Sequence, residues 1–369
     1  MIAKKVRIKP TKQQELQLYK SSGTARFIYN WVLGKQKENY KQGNKFISDS
    51  VLRKEITQLK KTKDFEWLNE VSTNVPKQAV KDACNSYKRF FKKHSKFPKF
   101  KSKKKTKPSF YNDTHKLKVK DKLVRIEKIG WVRTSEQLPI NVKYYNPRIT
   151  FDGKYWYISV SFEEEHKYEE LTNESLGIDL GIKELATCSD GTVYENINKT
   201  VKVKKLEKRL RRLQRKVSRK YQKNKEGSTF VKTCNIIKLE NQIKLLQRTL
   251  SNIRKNHLHQ ITTSIVKTKP RRIVIEDLNV QGMMKNKHLA KAIQKQGFYE
   301  FRRQLTYKCE WYGIELVVAD RFYPSSKTCY SCGSIKKDLK LSDRVFNCDC
   351  GFSIDRDLNA SINLANYDI

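Results

Sequence analysis

The spacing of apolar residues changes several times along the chain, and each change predicts an element. Val6 and Ile8 alternate with polar neighbours over 2–9, a strand pattern that Pro10 ends. Thr11 and Gln14 then have the spacing of a capping box, so helices are predicted over 12–43. Their expected core is Leu16, Tyr19, Ala25, Phe27, Ile28, Trp31 and Val32. Further helices are predicted over 48–60 and 76–93. In the second, Ala79, Ala83, Tyr87, Phe90 and Phe91 share one face, and Gln78, Lys81, Asp82, Asn85 and Lys88 share another. From 108 to 165 the period falls to two. Trp156, Ile158, Val160 and Phe162 alternate with Tyr155, Tyr157, Ser159 and Ser161, just after a hairpin turn at Asp152-Gly153. If the first strand joins this sheet, the helices of 12–93 are an insertion in a β-barrel.

The second half repeats the alternation of strand and helix. Leu176-Gly177-Ile178-Asp179-Leu180-Gly181 is a buried-strand pattern holding one acid. Strands at 186–188 and 192–194 follow around an Asp190-Gly191 turn, and such a meander with an acid on its first strand is the opening of an RNase H-like fold. Over 201–256, Leu206, Leu210, Leu213 and Val217 recur at helical spacing, as do Leu239, Ile243, Leu246, Leu250 and Ile253. With a polar turn at 223–228, this predicts an antiparallel helical hairpin with a narrow apolar seam. Ile273-Val274-Ile275 suits a central parallel strand, and Glu276 ends it.

Charge changes the picture. Seventy-nine Lys and Arg stand against 38 Asp and Glu, a net charge of +41. Such a surface suits a polyanion whose phosphates release counterions on contact. The hairpin of 201–256 carries 19 Lys and Arg against three Glu, so it is expected to track phosphates rather than serve as a solvated coiled coil. Arg209, Arg212, Arg215 and Lys216 are its candidate contacts. The basic run at 92–107 interleaves Phe97 and Phe100, which also favours nucleic acid. No stretch is apolar enough for a membrane span and the start has no apolar signal core, so a cytoplasmic location and no membrane partner are expected.

Against this basic background, three acids end apolar stretches: Asp179, Glu276 and Asp357. Alone, each has an ordinary explanation: a turn, an ion pair, a helix cap. Together they are what two Mg²⁺ ions need, and a carboxylate metal site in so basic a chain suggests a nuclease. Asp355 competes with Asp357 for the third place, and Asp357 has the position of an N-cap. Cys329-x-x-Cys332 and Cys348-x-Cys350 lie fifteen residues apart, each pair followed by a glycine. Four thiolates suit a structural Zn²⁺. The second pair is one residue shorter than CxxC. Cys84, Cys188, Cys234 and Cys309 are scattered and are expected to be buried small hydrophobes.

The ordered segments GIDLGIKELATCSDG, IVIEDLN, YPSSKTCYSCG, FNCDCG and DRDLNASIN resemble the TnpB proteins of bacterial insertion sequences, compact relatives of type V CRISPR effectors. VRIKPTKQQELQL, ARFIYNWVL and FPKFKSKKK extend the resemblance to nearly the whole chain. It implies a multidomain α/β protein. A β-barrel wedge would occupy 1–10 and 108–170, with a helical recognition lobe inserted at 11–107. An RNase H-like RuvC nuclease would occupy 171–200, 201–328 and 351–369, with a zinc-ribbon insertion at 329–350. It further implies an RNA-guided DNA endonuclease of a transposable element, bound as a monomer to one guide RNA from the transposon end. Double-stranded target DNA would be cut beside a short adjacent motif by Asp179, Glu276 and Asp357. Candidate readers of that motif are Lys77, Gln78, Lys81 and Asn85 on one helix, with Phe110, Tyr111 and Asn112 as the other group. The competing readings are an RNA-guided repressor that does not cut and an RNase H-like transposase or resolvase.

Overall fold

The structure is a computed structural model describing residues 1–164, 170–340 and 343–368. The chain forms two compact units, Met1–Glu165 and His166–Ile369. The end of the expected wedge span, 165–169, lies outside the described residues.

The first unit opens with β1 (Ile2–Lys9), α1 (Lys12–Lys41), α2 (Asp49–Leu59) and α3 (Asn74–Phe91). Six strands follow: β2 (Ser109–Tyr111), β3 (Lys118–Lys120), β4 (Leu123–Ile126), β5 (Gly130–Thr134), β6 (Tyr144–Phe151) and β7 (Trp156–Phe162). All seven strands make one antiparallel sheet in the order β2-β6-β7-β1-β5-β4-β3. β1 therefore joins the later strands, and the helices are inserted between β1 and β2. Val6 and Ile8 face the same core as Trp156, Ile158, Val160 and Phe162.

Thr11 caps α1 with the full capping box: its hydroxyl accepts from the Gln14 amide, and the Gln14 side chain accepts from the Thr11 amide. The inward face of α1 differs from the predicted one. Leu16 and Tyr19 are exposed, while Leu18, Ser21 and Ser22 are buried. The two serines donate to the carbonyls of Gln17 and Leu18, so they enter the interior with their hydroxyls satisfied. On α3, Val80 and Cys84 join Ala79, Ala83 and Tyr87 inside, and Phe91 is exposed.

The second unit begins with β8 (Thr172–Leu180), β9 (Glu184–Cys188) and β10 (Val193–Glu195). Next come α4 (Val201–Lys223), a short ribbon of β11 (Lys225–Glu226) and β12 (Thr229–Phe230), and α5 (Cys234–Lys267). The helical hairpin is thus tipped by a β-ribbon, and α5 runs eleven residues past the expected end at 256. Then follow β13 (Pro270–Glu276), α6 (Val280–Met283), α7 (Ala290–Gln296), α8 (Phe298–Tyr312) and β14 (Glu315–Ala319). The chain closes with β15 (Val345–Asn347), β16 (Ser353–Asp355) and α9 (Arg356–Ala365).

The five-stranded sheet has the order β10-β9-β8-β13-β14, with β13 parallel to both β8 and β14. Alternation divides its residues cleanly. Leu176, Ile178, Leu180, Ile273 and Ile275 pack on one face with α5 and α8 residues such as Leu258, Ile265, Phe301 and Leu305. Val274, Val317 and Ala319 pack on the other with Leu364 of α9. Cys188 and Cys309 are buried in the first of these cores and Cys84 in the helical core of the first unit, whereas Cys234 is exposed at the start of α5. The expectation that all four scattered cysteines are interior fails there: Cys234 is exposed although Ile236, two residues further along α5, is buried.

Candidate active site and metal centre

β8 and β13 run parallel with Ile178 opposite Ile275, so the next residues of each, Asp179 and Glu276, lie side by side at the strand ends. Both are part-buried. They point to the face that α9 covers, since Gly177, two residues before Asp179, lies directly against that helix. A Cβ at Gly177 would stand 1.9 Å from the Ser361 carbonyl oxygen and 2.4 Å from the Ala365 nitrogen. Only glycine lets the helix backbone come so near the strand. The far end of α9 is tied down by the Ser175 hydroxyl, which donates to the Ala365 carbonyl at 2.7 Å. Arg272 donates to the same oxygen at 3.3 Å.

The near end of α9 brings in the third acid. Asp355 is its N-cap: one carboxylate oxygen accepts from the amides of Asp357 at 2.9 Å and Leu358 at 3.1 Å. Capping is therefore done by Asp355, and the Asp357 carboxylate, in the first turn, is left for other work. The Arg356 guanidinium lies 3.4 Å from it. Burial, followed by the neighbouring carboxylates of Glu276 and Asp357, pushes the Asp179 carboxyl well above the usual range, and Arg356 acts in the opposite sense. The Asp179 carboxyl thus feels the charge of both other acids, and Arg356 offsets part of it. That is an arrangement a divalent cation stabilises, so the donor set fits Mg²⁺.

The four clustered cysteines form a second site. Their sulfurs all lie within 4.8 Å of one another, and among the described residues this is the one such group of potential ligands. Cys329 and Cys350 are 3.8 Å apart, and Cys332 and Cys348 are 3.5 Å apart. Gly333 and Gly351 both have positive φ, at 75° and 87°, as the two knuckle turns require. The short CxC pair is accommodated at the tip of the β15–β16 hairpin, where the Cys348 amide donates to the Phe352 carbonyl. The Ser334 hydroxyl, with the Cys350 amide, lowers the Cys348 thiol to about 6. For Cys350 the Phe352 amide acts downward, yet Cys348 and Cys332 carry it up to about 12. Four packed thiols resist joint ionisation until a cation replaces their protons, which suits Zn²⁺.

The candidate nucleic-acid residues fall into two kinds. Arg209, Arg212, Arg215 and Lys216 are exposed on α4, and Lys77 and Asn85 on α3. Gln78, Lys81 and Tyr111 are part-buried, and Gln78 and Tyr111 line the same concavity beside Arg148 and Lys101. Gln78 is engaged in donating to Asp82, which also holds Arg148 through two bonds of 2.7 and 2.8 Å. Phe110 is buried in the sheet core. Asn112 is buried too, accepting from the Glu127 amide and donating to the Asp113 carbonyl. Both side chains are enclosed by the protein. Lys308 carries no signal in the sequence, yet it is buried and donates to the His259 carbonyl and to the hydroxyls of Thr262 and Thr263. Burial lowers it to about 8. Ser325, in the YPSSKTC segment, is equally silent in the sequence, and its hydroxyl donates to Glu276 at 2.9 Å.

The fold belongs to a known class. It resembles a chain of the solved "Cryo-EM structure of the Cas12f1-sgRNA-target DNA complex", with a TM-score of 0.61 and 14% identity over 96% of this chain and 82% of that one. Residues 157–287 match the IS605 OrfB family described as "Probable transposase", and 298–364 match "Cas12f1-like, TNB domain". Residues 1–45 match a "Helix-turn-helix domain", although here they form one strand and one uninterrupted helix. Among curated proteins, "Putative RNA-guided DNA endonuclease InsQ" of Escherichia coli (strain K12) is 32% identical over 98% of this chain and 90% of its own length. A "Putative RNA-guided DNA endonuclease" of Streptomyces pristinaespiralis is 33% identical over 98% and 87%. The chain belongs to the TnpB family of IS605 insertion-sequence proteins.

Proposed function

We propose that this chain is a guide-RNA-directed DNA endonuclease of a transposable element, with Asp179, Glu276 and Asp357 as its catalytic carboxylates. The observation that carries the reading is their convergence from two parallel strand ends and a helix start, in a chain of net charge +41. These carboxylates would hold two Mg²⁺ ions, which supply Lewis-acid stabilisation of the phosphodiester and a water of lowered pKa. The chain's own contribution is orientation. The parallel strands fix Asp179 and Glu276 as neighbours, α9 delivers Asp357, and Asp355 spends its carboxylate on the cap. Arg356 balances part of the acid charge beside Asp357.

In this reading the second unit is the RuvC nuclease, carrying the α4–α5 hairpin and a zinc ribbon held by Cys329, Cys332, Cys348 and Cys350. The seven-stranded sheet is the wedge, and α1 to α3 are the recognition lobe. Guide RNA and double-stranded target DNA are the partners, with one chain per RNA. The exposed bases of α4 would contact phosphates. Lys77, Lys81 and Asn85, with Gln78 and Tyr111 at the neighbouring concavity, are the proposed readers of a short DNA motif. No helix among the described residues is long and apolar enough to cross a membrane.

Expression with the native flanking DNA, followed by sequencing of copurified RNA, tests the guide. One defined RNA with a variable segment is expected. Heterogeneous RNA at no fixed stoichiometry would refute it.

A further inference from the structure

Glu276 ends a strand, and its flexible side chain must be held for its carboxylate to serve a metal. The holding group comes from the connection between β14 and the first cysteine. Ser325 is 4% exposed, and its hydroxyl donates to Glu276 Oε1 at 2.9 Å. Its own carbonyl accepts from Asn363 of α9 at 2.8 Å. Asn363 also donates to the Thr328 carbonyl at 2.7 Å, and Asn359 donates to the same oxygen at 2.7 Å. The Asn359 side-chain oxygen accepts from the Tyr330 amide at 3.2 Å, and the Tyr323 hydroxyl donates to the Asn363 carbonyl at 3.1 Å. Asn359 and Asn363 are buried and spend these groups on the 323–330 strap. The helix that carries Asp357, the first cysteine knuckle and Glu276 are therefore joined through one run of hydrogen bonds, with Ser325 as the link to Glu276.

We infer that Ser325 is a positioning residue: its hydroxyl fixes the Glu276 carboxylate and locks it to the helix that carries Asp357. The inference rests on the reading that these carboxylates bind divalent cations. Removing an outer partner of a ligating carboxylate typically weakens metal binding by about 10–100-fold.

The test uses the purified protein–RNA complex and Mn²⁺ as the probe, with free Mn²⁺ read by electron paramagnetic resonance. Ser325→Ala is expected to weaken Mn²⁺ binding about ten-fold or more, with zinc content and bound RNA unchanged. Ser325→Thr keeps a hydroxyl and is expected to bind Mn²⁺ better than Ser325→Val, which has the same shape without one. The Mg²⁺ midpoint of cleavage should rise in Ser325→Ala. Unchanged Mn²⁺ binding in Ser325→Ala, or equal binding by the Thr and Val variants, overturns the inference. Loss of zinc and RNA together with Mn²⁺ also overturns it, because that marks a purely structural role. Glu276→Gln separates the two levels. If Glu276→Gln binds Mn²⁺ as wild type does, the carboxylate reading itself fails.

Discussion

Replacing Gly177 with alanine adds one methyl group and should disable the site without touching an acid. The new Cβ would lie 1.9 Å from the Ser361 oxygen and 2.4 Å from the Ala365 nitrogen, both backbone atoms of α9. Backbone cannot swing aside as a side chain can. To reach even 3.0 Å, a separation that real Cβ atoms essentially never undercut, the helix must retreat by about 1 Å. Asp357 rides on that helix, and a displacement of about 1 Å at a catalytic group costs on the order of 100-fold in rate. Overpacking of this kind also costs about 1–3 kcal/mol. At about 2–4 °C per kcal/mol for a unit of this size, melting should fall by roughly 2–12 °C. The assay is single-turnover cleavage of a guide-matched plasmid, with a thermal melt of the same preparation. A Gly177→Ala protein that melts and cuts like wild type would refute both the tight packing of α9 on β8 and the delivery of Asp357 by α9.

The Asp179 carboxyl is raised in the folded protein by burial and by Glu276 and Asp357, while an unfolded aspartate titrates near ~3.9. Its penalty is thus absent below that value, grows as pH rises toward the folded pKa, and is complete above it. Metal-free Asp179→Asn should therefore melt above wild type at pH 7, with the gain fading toward about pH 4; melting at or below wild type at pH 7 refutes this. Cys332→Ser should lose stoichiometric zinc by elemental analysis and lower the melting temperature, because three thiols leave the tetrahedral set incomplete. Lys308→Ala should destabilise the second unit by about 2–3 kcal/mol in chemical denaturation, since it strips a buried donor from three oxygens. Joint replacement of Arg209, Arg212, Arg215 and Lys216 by alanine should flatten the salt dependence of RNA binding, by about 0.7–0.9 in log–log slope for each phosphate the variant no longer neutralises.

Much of the candidate site is legible because its signals are local. An acid closing a run such as Ile273-Val274-Ile275 is visible in one segment, and so are paired cysteines followed by glycine. The rest depended on tertiary context. Asp355 and Asp357 are both plausible caps in sequence, and only the geometry of β16 entering α9 assigns the cap to Asp355. The buried face of α1 departs from its apolar pattern at Leu16, because Ser21 and Ser22 enter the interior with their hydroxyls bonded to backbone carbonyls. The burial of Phe110 and Asn112 has no sequence signal, because a strand of three residues carries too little pattern to show which side faces in. Ser325 and Lys308 gave no periodic signal at all. Their importance lies in partners such as Glu276 and His259, each 49 residues away in sequence.

Guided cutting by the three carboxylates is tested most directly by cleavage of supercoiled plasmid by the reconstituted protein–RNA complex in Mg²⁺. A plasmid that matches the guide should be cut, and a plasmid with a scrambled target should not. Asp179→Ala and Glu276→Ala complexes that retain their RNA should cut neither. Guide-independent cutting, or full activity in either variant, would contradict the proposed function.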